Sequence, residues 1–420
     1  MSADAAPAAD FEPSYPAGHE PAFGHEPAFG HRVFDALDPD VLARRDGEKW
    51  AYAPRDTLSA WIGDMDFPIA PEIRAALIRR IDGDLGYPVW FDATEGAPLG
   101  EVFAARMKRR FGFAAEPTHL RLFTDVNQAM SAVLHLATRP GDAVVLHTPA
   151  CPPFVDDLRR MDRPPLTVPI EEGLHGWTLD PDRVAATLDR ADRCRVLFLV
   201  NPHNPTGRVL RRDELEGLAE LALRHDLLVI SDEVHADLTH PPHVHIPFAS
   251  LGPEIAARTV TVTSGSKAFN LAGIRCAAAH IGPPELRVAV DARRGLLFGQ
   301  VGVLAVAALT AAWAEGDAWL DEVRVLLDRN RRRLAAGLPE GIRHHSPEAG
   351  FLAWLDCRPL GLGDDPYVFF RDHAKVLLFS GPSFGPEGNG FARLNFATSA
   401  GVLDEILNRM HSALRAPGRT

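Results

Sequence analysis

Residues 264–275 read SGSKAFNLAGIR and follow directly on the β-branched run Thr259-Val260-Thr261-Val262-Thr263. A short run of that composition, ended by Ser-Gly, suits a buried strand. The polar stretch after it then lies at a strand end, where open α/β sheets place their ligands. Lys267 stands there between two serines and the apolar stretch that begins at Ala268-Phe269. Such surroundings lower the pKa of an ammonium group and suit a Schiff-base nucleophile. Taken alone, Lys267 also reads as a surface lysine following a strand.

Similar apolar runs flank this one at 143–146, 195–200 (RVLFLV), 227–231 (LLVIS) and 276–281 (CAAAHI). Their length and lack of alternation predict strands of a mainly parallel sheet covered on both faces. Helices are predicted over 71–80, 99–111 and 128–137, the last ended by Arg139-Pro140-Gly141-Asp142. A helix over 213–224, with Asp213 as its N-cap, separates two of the strands as a βαβ unit requires. The fold class is therefore α/β. The last hundred residues change character. A long amphipathic helix at 319–336 precedes strand-like 350–357, 375–380 and 392–397, and a closing helix fits 402–414. This predicts a large domain over 71–318, a smaller α+β domain over 319–420, and a segment 32–70 packed with the smaller one. Residues 1–31, which contain GHEPAF twice at 18–29, read as a disordered arm unable to bury a core.

The chain has 420 residues, 46% of them apolar and 24% charged, as in ordinary globular proteins. Its formal charge of −12 argues against nucleic acid or an anionic membrane as partner. Cys151, Cys194, Cys276 and Cys357 show no CxxC spacing, so neither a disulfide framework nor a metal site is expected. That pattern, with no signal peptide, predicts a reduced, cytoplasmic protein. The apolar run at 296–314 contains Gln300 and Thr310 and reads as a buried core helix.

Three further polar clusters sit near predicted strands: NPHNPTGR (201–208), SDEVH (231–235) and RLNF (393–396). Asp232 ends a buried strand, where a carboxylate requires a cationic partner. A protonated pyridine nitrogen is such a partner, and pyridoxal 5'-phosphate (PLP) needs one to act as electron sink. Asn204 heads a tight Pro-Thr-Gly turn and is able to donate to a phenolate-like oxygen. Ser264, Ser266 and Arg275 together suit a phosphate.

In this order and spacing the four clusters resemble those of the class I/II aminotransferase superfamily of fold-type I PLP enzymes. WIGDMDFP (61–68) and GDLGYP (83–88) add a resemblance to the cystathionine β-lyase (MalY/PatB) subgroup, and the likeness spans about 32–415. It implies that Lys267 binds the cofactor covalently and later moves the substrate α-proton. It further implies that Asp232 faces the ring nitrogen, with Asn204 and His235 near the phenolic oxygen. Ser264, Ser266, Arg275 and the helix start at Val126 and Asn127 would hold the phosphate, and Arg393 the substrate carboxylate. Tyr87 would reach the phosphate of a second copy, implying a homodimer with shared sites. The expected activity is carbon–sulfur β-elimination from cysteine or a cysteine S-conjugate. The same residues also serve an aminotransferase.

Two positions depart from the subgroup's pattern. Asp125, in FTDVNQAM, replaces a small residue beside the phosphate. It either turns outward to cap the helix or leaves the cofactor more weakly or differently held. Cys151, in HTPACPPF, stands where the subgroup stacks a tyrosine on the cofactor ring. The altered ring face adds a third reading, an oxygen-dependent, decarboxylating deamination in specialised metabolism. A regulatory, non-enzymatic role is disfavoured by the acidic charge and the absence of room for a DNA-binding module.

Overall fold

The computed structural model describes residues 34–87, 97–173, 176–293 and 297–416. The GHEPAF repeats lie outside the described residues. Seven strands make the central sheet: β1 (Leu120–Phe123), β2 (Ala143–Thr148), β3 (Pro165–Pro169), β4 (Cys194–Val200), β5 (Leu228–Asp232), β6 (Thr259–Ser264) and β7 (Ala277–Ile281). Their spatial order is β1-β7-β6-β5-β4-β2-β3. Strands β2 to β6 are mutually parallel, whereas β7 runs antiparallel to both β6 and β1. The five apolar runs all became strands. The two that were not expected, β1 and β3, lie at the sheet edges. β3 is bounded by Pro165 and Pro169 and is partly exposed, as an edge strand tolerates.

The helix Arg212–Arg224 returns the chain from β4 to β5, but Asp213 is not its N-cap. Arg211 holds that position, because the Glu214 carboxylate reaches back to the Arg211 amide at 2.7 Å. Glu214 is itself fixed by an ion pair with buried Arg208 at 2.9 Å. Asp213 lies in the first turn, where its charge suits the helix dipole. The apolar run 296–314 is likewise not one helix. The α-helix begins at Val303, after Gly299 adopts φ +65° and Gly302 serves as N-cap. Among the described residues no single helix is long and apolar enough to cross a membrane.

The helix Asp317–Gly337 leads to a three-stranded antiparallel sheet of β8 (Leu352–Asp356), β9 (Phe379–Ser380) and β10 (Phe391–Asn395), ordered β8-β10-β9. The run 375–380 is divided between two sheets. Val376–Leu377 pairs in parallel with Leu58–Ser59, while Phe379–Ser380 pairs with β10. Residues 34–70 are thereby tied to this region, and a bidentate pair between Asp35 and Arg329 at 2.6 and 2.7 Å adds to the tie. Helix Ala400–Arg415 closes the chain.

Register positions the polar clusters. Val200 at the end of β4 pairs with Asp232 at the end of β5, and Asp232 with Val262 in β6. The segments following these three parallel strands therefore emerge along one edge of the sheet.

Candidate active site

Ser264 ends β6 and caps the short helix Gly265–Ala268. Its hydroxyl accepts from the Ser266 amide at 3.0 Å and donates to the Cys276 carbonyl at 2.7 Å. It is thus occupied in shaping the turn that presents Lys267. The hydroxyl of Ser266 makes no hydrogen bond among the described residues. The Lys267 ammonium donates to the Gly63 carbonyl at 2.8 Å. A Cβ at position 63 would lie 3.0 Å from Nζ, tight enough to push the lysine tip aside. Desolvation by burial lowers the Lys267 pKa against the opposing pull of Asp64, and the Arg393 charge lowers it further.

Asp232 is buried at the end of β5, accepting from the Val234 amide at 3.1 Å. Among the described residues it forms no ion pair. Burial therefore drives its carboxyl pKa up to about 7, and neighbouring Glu233 adds to the rise. Glu233 is held in place by Ser231 Oγ at 2.9 Å, the Phe248 amide at 3.1 Å and His245 Nε2 at 3.0 Å. His235 is buried with Nδ1 unpartnered. Burial and the charges of Lys267 and Arg393 lower its pKa to about 3, which keeps the imidazole neutral.

Arg393 projects from β10 and donates Nη1 to Asn204 Oδ1 at 3.0 Å and Nη2 to the Trp61 carbonyl at 3.1 Å. Its guanidinium carbon lies 4.6 Å from the Phe379 ring centre and 5.0 Å from that of Phe384. Its Nε is buried without a partner, and no carboxylate is in ion-pair range among the described residues. Burial lowers its pKa to about 10. Such a cation is suited to receive a carboxylate.

Cys151 heads the helix Pro152–Arg160. Burial raises its thiol pKa, while Arg393, Lys267 and Asp232 all act on it electrostatically, so the four groups lie close together. The adjoining Ala150 amide donates to the Phe384 carbonyl at 2.9 Å, joining this corner to the aromatic floor under Arg393.

Asp125 is the N-cap of the helix Val126–Ala137, accepting from the Gln128 amide at 2.8 Å. The expected capping role is present, but the carboxylate is not turned away from the phosphate residues. Its Oδ2 pairs with the Arg275 guanidinium and accepts from Thr124 Oγ1 at 3.1 Å. Val126 and Asn127 supply the first-turn amides beside this pair. Tyr87 is 88% exposed at the end of the described stretch 34–87.

Lys267, Asp232, Asn204, His235, Arg393 and Cys151 are thus brought together from segments far apart in sequence. Several neighbours of the site carried no expected role: Gly63, Asp64, Trp61, Phe379 and Phe384. The first three lie within WIGDMDFP, so that motif was the available signal. Nothing local marks the two phenylalanines.

The description "Aminotransferase class I and II" matches residues 101–410. Cystathionine beta-lyase PatB of Bacillus subtilis is 35% identical over 86% of this chain and 93% of its own length. Among solved structures, that of OvoB has a TM-score of 0.83 at 39% identity, covering 89% of this chain and 97% of its own. Cystalysin from Treponema denticola, whose structure contains PLP, has a TM-score of 0.85 at 26% identity, covering 91% and 99%. The residues here fit that cofactor. A buried carboxyl with no ion pair among the described residues and a neutral histidine with an unpartnered nitrogen lie within electrostatic reach of a buried lysine of lowered pKa.

Proposed function

The chain belongs to the aminotransferase class I and II family, and from that premise we propose a PLP-dependent carbon–sulfur β-lyase acting on cysteine or a cysteine S-conjugate. The observation that carries the reading is that two buried ionisable groups near Lys267, Asp232 and Arg393, form no ion pair among the described residues. Each lacks the partner that a cofactor ring or an amino-acid substrate would supply. The naming of PatB as a cystathionine β-lyase supports elimination at the β-carbon.

Lys267 would attach the cofactor, with Asp232 opposite the ring nitrogen and Asn204 and His235 near the phenolic oxygen. Ser266, Arg275 and the amides of Val126 and Asn127 would hold the phosphate. When bound, PLP supplies a carbonyl carbon for an amino group and a protonated ring that accepts the electron pair left at the substrate α-carbon.

Arg393 binds the substrate carboxylate above the aromatic floor of Phe379 and Phe384, which shields that side of the guanidinium from water. Asn204 and the Trp61 carbonyl hold the guanidinium plane, so the carboxylate is received in one orientation. Lys267 takes the α-proton on Nζ once its amine is free, a role helped by its lowered pKa. Departure of the β-thiolate then leaves products that hydrolyse to pyruvate and ammonia. His235 stays neutral throughout and holds its proton on a single ring nitrogen.

A homodimer in which Tyr87 reaches the site of a second copy completes the proposal. Incubation with a panel of S-substituted cysteines, following thiol, pyruvate and ammonia, tests it. Equimolar release of the three supports elimination. Amino transfer to a keto acid without thiol release would favour the aminotransferase reading that the family name also allows.

A further inference from the structure

The phosphate end of the site contains an anion of its own. Asp125 Oδ1 caps the helix Val126–Ala137 through the Gln128 amide at 2.8 Å, while Oδ2 pairs with Arg275. The Arg275 side chain is 58% exposed, and Asp125 is its only ion-pair partner among the described residues. Arg275 is held at φ +62°, a left-handed conformation unusual for arginine. One first-turn amide, that of Gln128, and the Arg275 guanidinium beside the amides of Val126 and Asn127 are therefore already engaged by a carboxylate. A phosphate entering this corner meets a negative charge and has to displace it from Arg275 or share the guanidinium with it.

We propose that Asp125 is an internal competitor for Arg275 that sets the affinity of this chain for the phosphate of its cofactor. The inference rests on the PLP reading above and adds to it that cofactor loading is an exchange of anions. Such a device weakens retention of the phosphorylated form and speeds its release. It has no effect on a ligand that lacks the phosphate.

The test is titration of cofactor-free protein with PLP and, separately, with pyridoxal, following the lysine-dependent absorbance change and quenching of tryptophan fluorescence. Asp125→Asn removes the charge and keeps an oxygen for the Gln128 amide; Asp125→Ser does the same with a shorter side chain. Both variants are expected to lower the Kd for PLP by about tenfold and to leave the Kd for pyridoxal unchanged. Thermal melts of the cofactor-free variants separate charge removal from loss of the cap. Unchanged or weaker PLP binding in both variants overturns the inference, as does equal tightening of PLP and pyridoxal. If neither compound gives a signal that depends on Lys267 in the unaltered chain, the PLP reading itself fails. The two failures are thus distinguishable.

Discussion

Arg393 Nη1 donates to Asn204 Oδ1 at 3.0 Å across 189 residues of sequence. This contact joins the C-terminal sheet to the turn that follows β4. It fixes together the cation proposed for the substrate carboxylate and the amide proposed for the phenolic oxygen. On the proposed roles, a disturbance on either side would reach substrate and cofactor together.

Arg393→Lys keeps the charge but loses the two-pronged geometry and the stacking on Phe379 and Phe384. KM for S-substituted cysteines should rise by roughly 10- to 100-fold. A matching amine without the α-carboxylate should show no such change. Steady-state kinetics on both substrates checks this, and equal losses on both would point to a collapsed site.

Lys267→Ala should abolish elimination, a loss on the order of a thousandfold or more since one group does both covalent and proton-transfer work. It should also remove the absorbance of lysine-bound cofactor while the phosphate contacts persist. Absorbance spectra and thiol release measured on the same samples decide the matter.

Asp232→Asn separates stability from activity. In the folded chain the carboxyl pKa is raised to about 7 from an ordinary value of 3.8. The folded state therefore holds a proton that the unfolded state has released between these values, and stability falls as pH rises through that window. The asparagine variant should gain more thermal stability at pH 8 than at pH 5 when cofactor-free, yet lose elimination activity. Melting curves at the two pH values are the measurement, and an equal gain at both would contradict the sign.

Cys151 should be a poor nucleophile in spite of its place beside Lys267. Burial raises the pKa of its thiol, and the other three cysteines are shifted the same way. Iodoacetamide at pH 7 should modify the native, cofactor-free protein slowly, with rapid labelling only after unfolding. Mass spectrometry of peptides locates the label. Cys151→Tyr is expected to change the cofactor spectrum and the product distribution, since it places an aromatic ring beside the same groups.

Local composition determined much of the architecture. The short apolar runs became β2 and β4 to β7 because strands covered on both faces need little beyond a β-branched, uninterrupted hydrophobic segment. The clusters after β4, β5 and β6 were legible for the same reason, since a parallel sheet delivers its strand ends to one edge. The edge strand β3 escaped notice because an edge demands less burial, while Arg121 breaks the apolar run of the mostly buried β1. The true start of the helix at Arg212 depended on Glu214 meeting Arg208, a contact between side chains that no propensity encodes.

The sequence by itself determined the class of fold, the lysine, aspartate and arginine at issue, and the departures at Cys151 and Asp125. Only the tertiary structure decided what those residues do to one another. It placed the Gly63 carbonyl on Lys267, left Asp232 and Arg393 without ion pairs among the described residues, and set Arg393 over the rings of two phenylalanines. It also turned Asp125 toward Arg275, 150 residues away, while leaving its helix cap intact. Burial and through-space charge depend on which segments meet, and that is settled by packing across the whole chain.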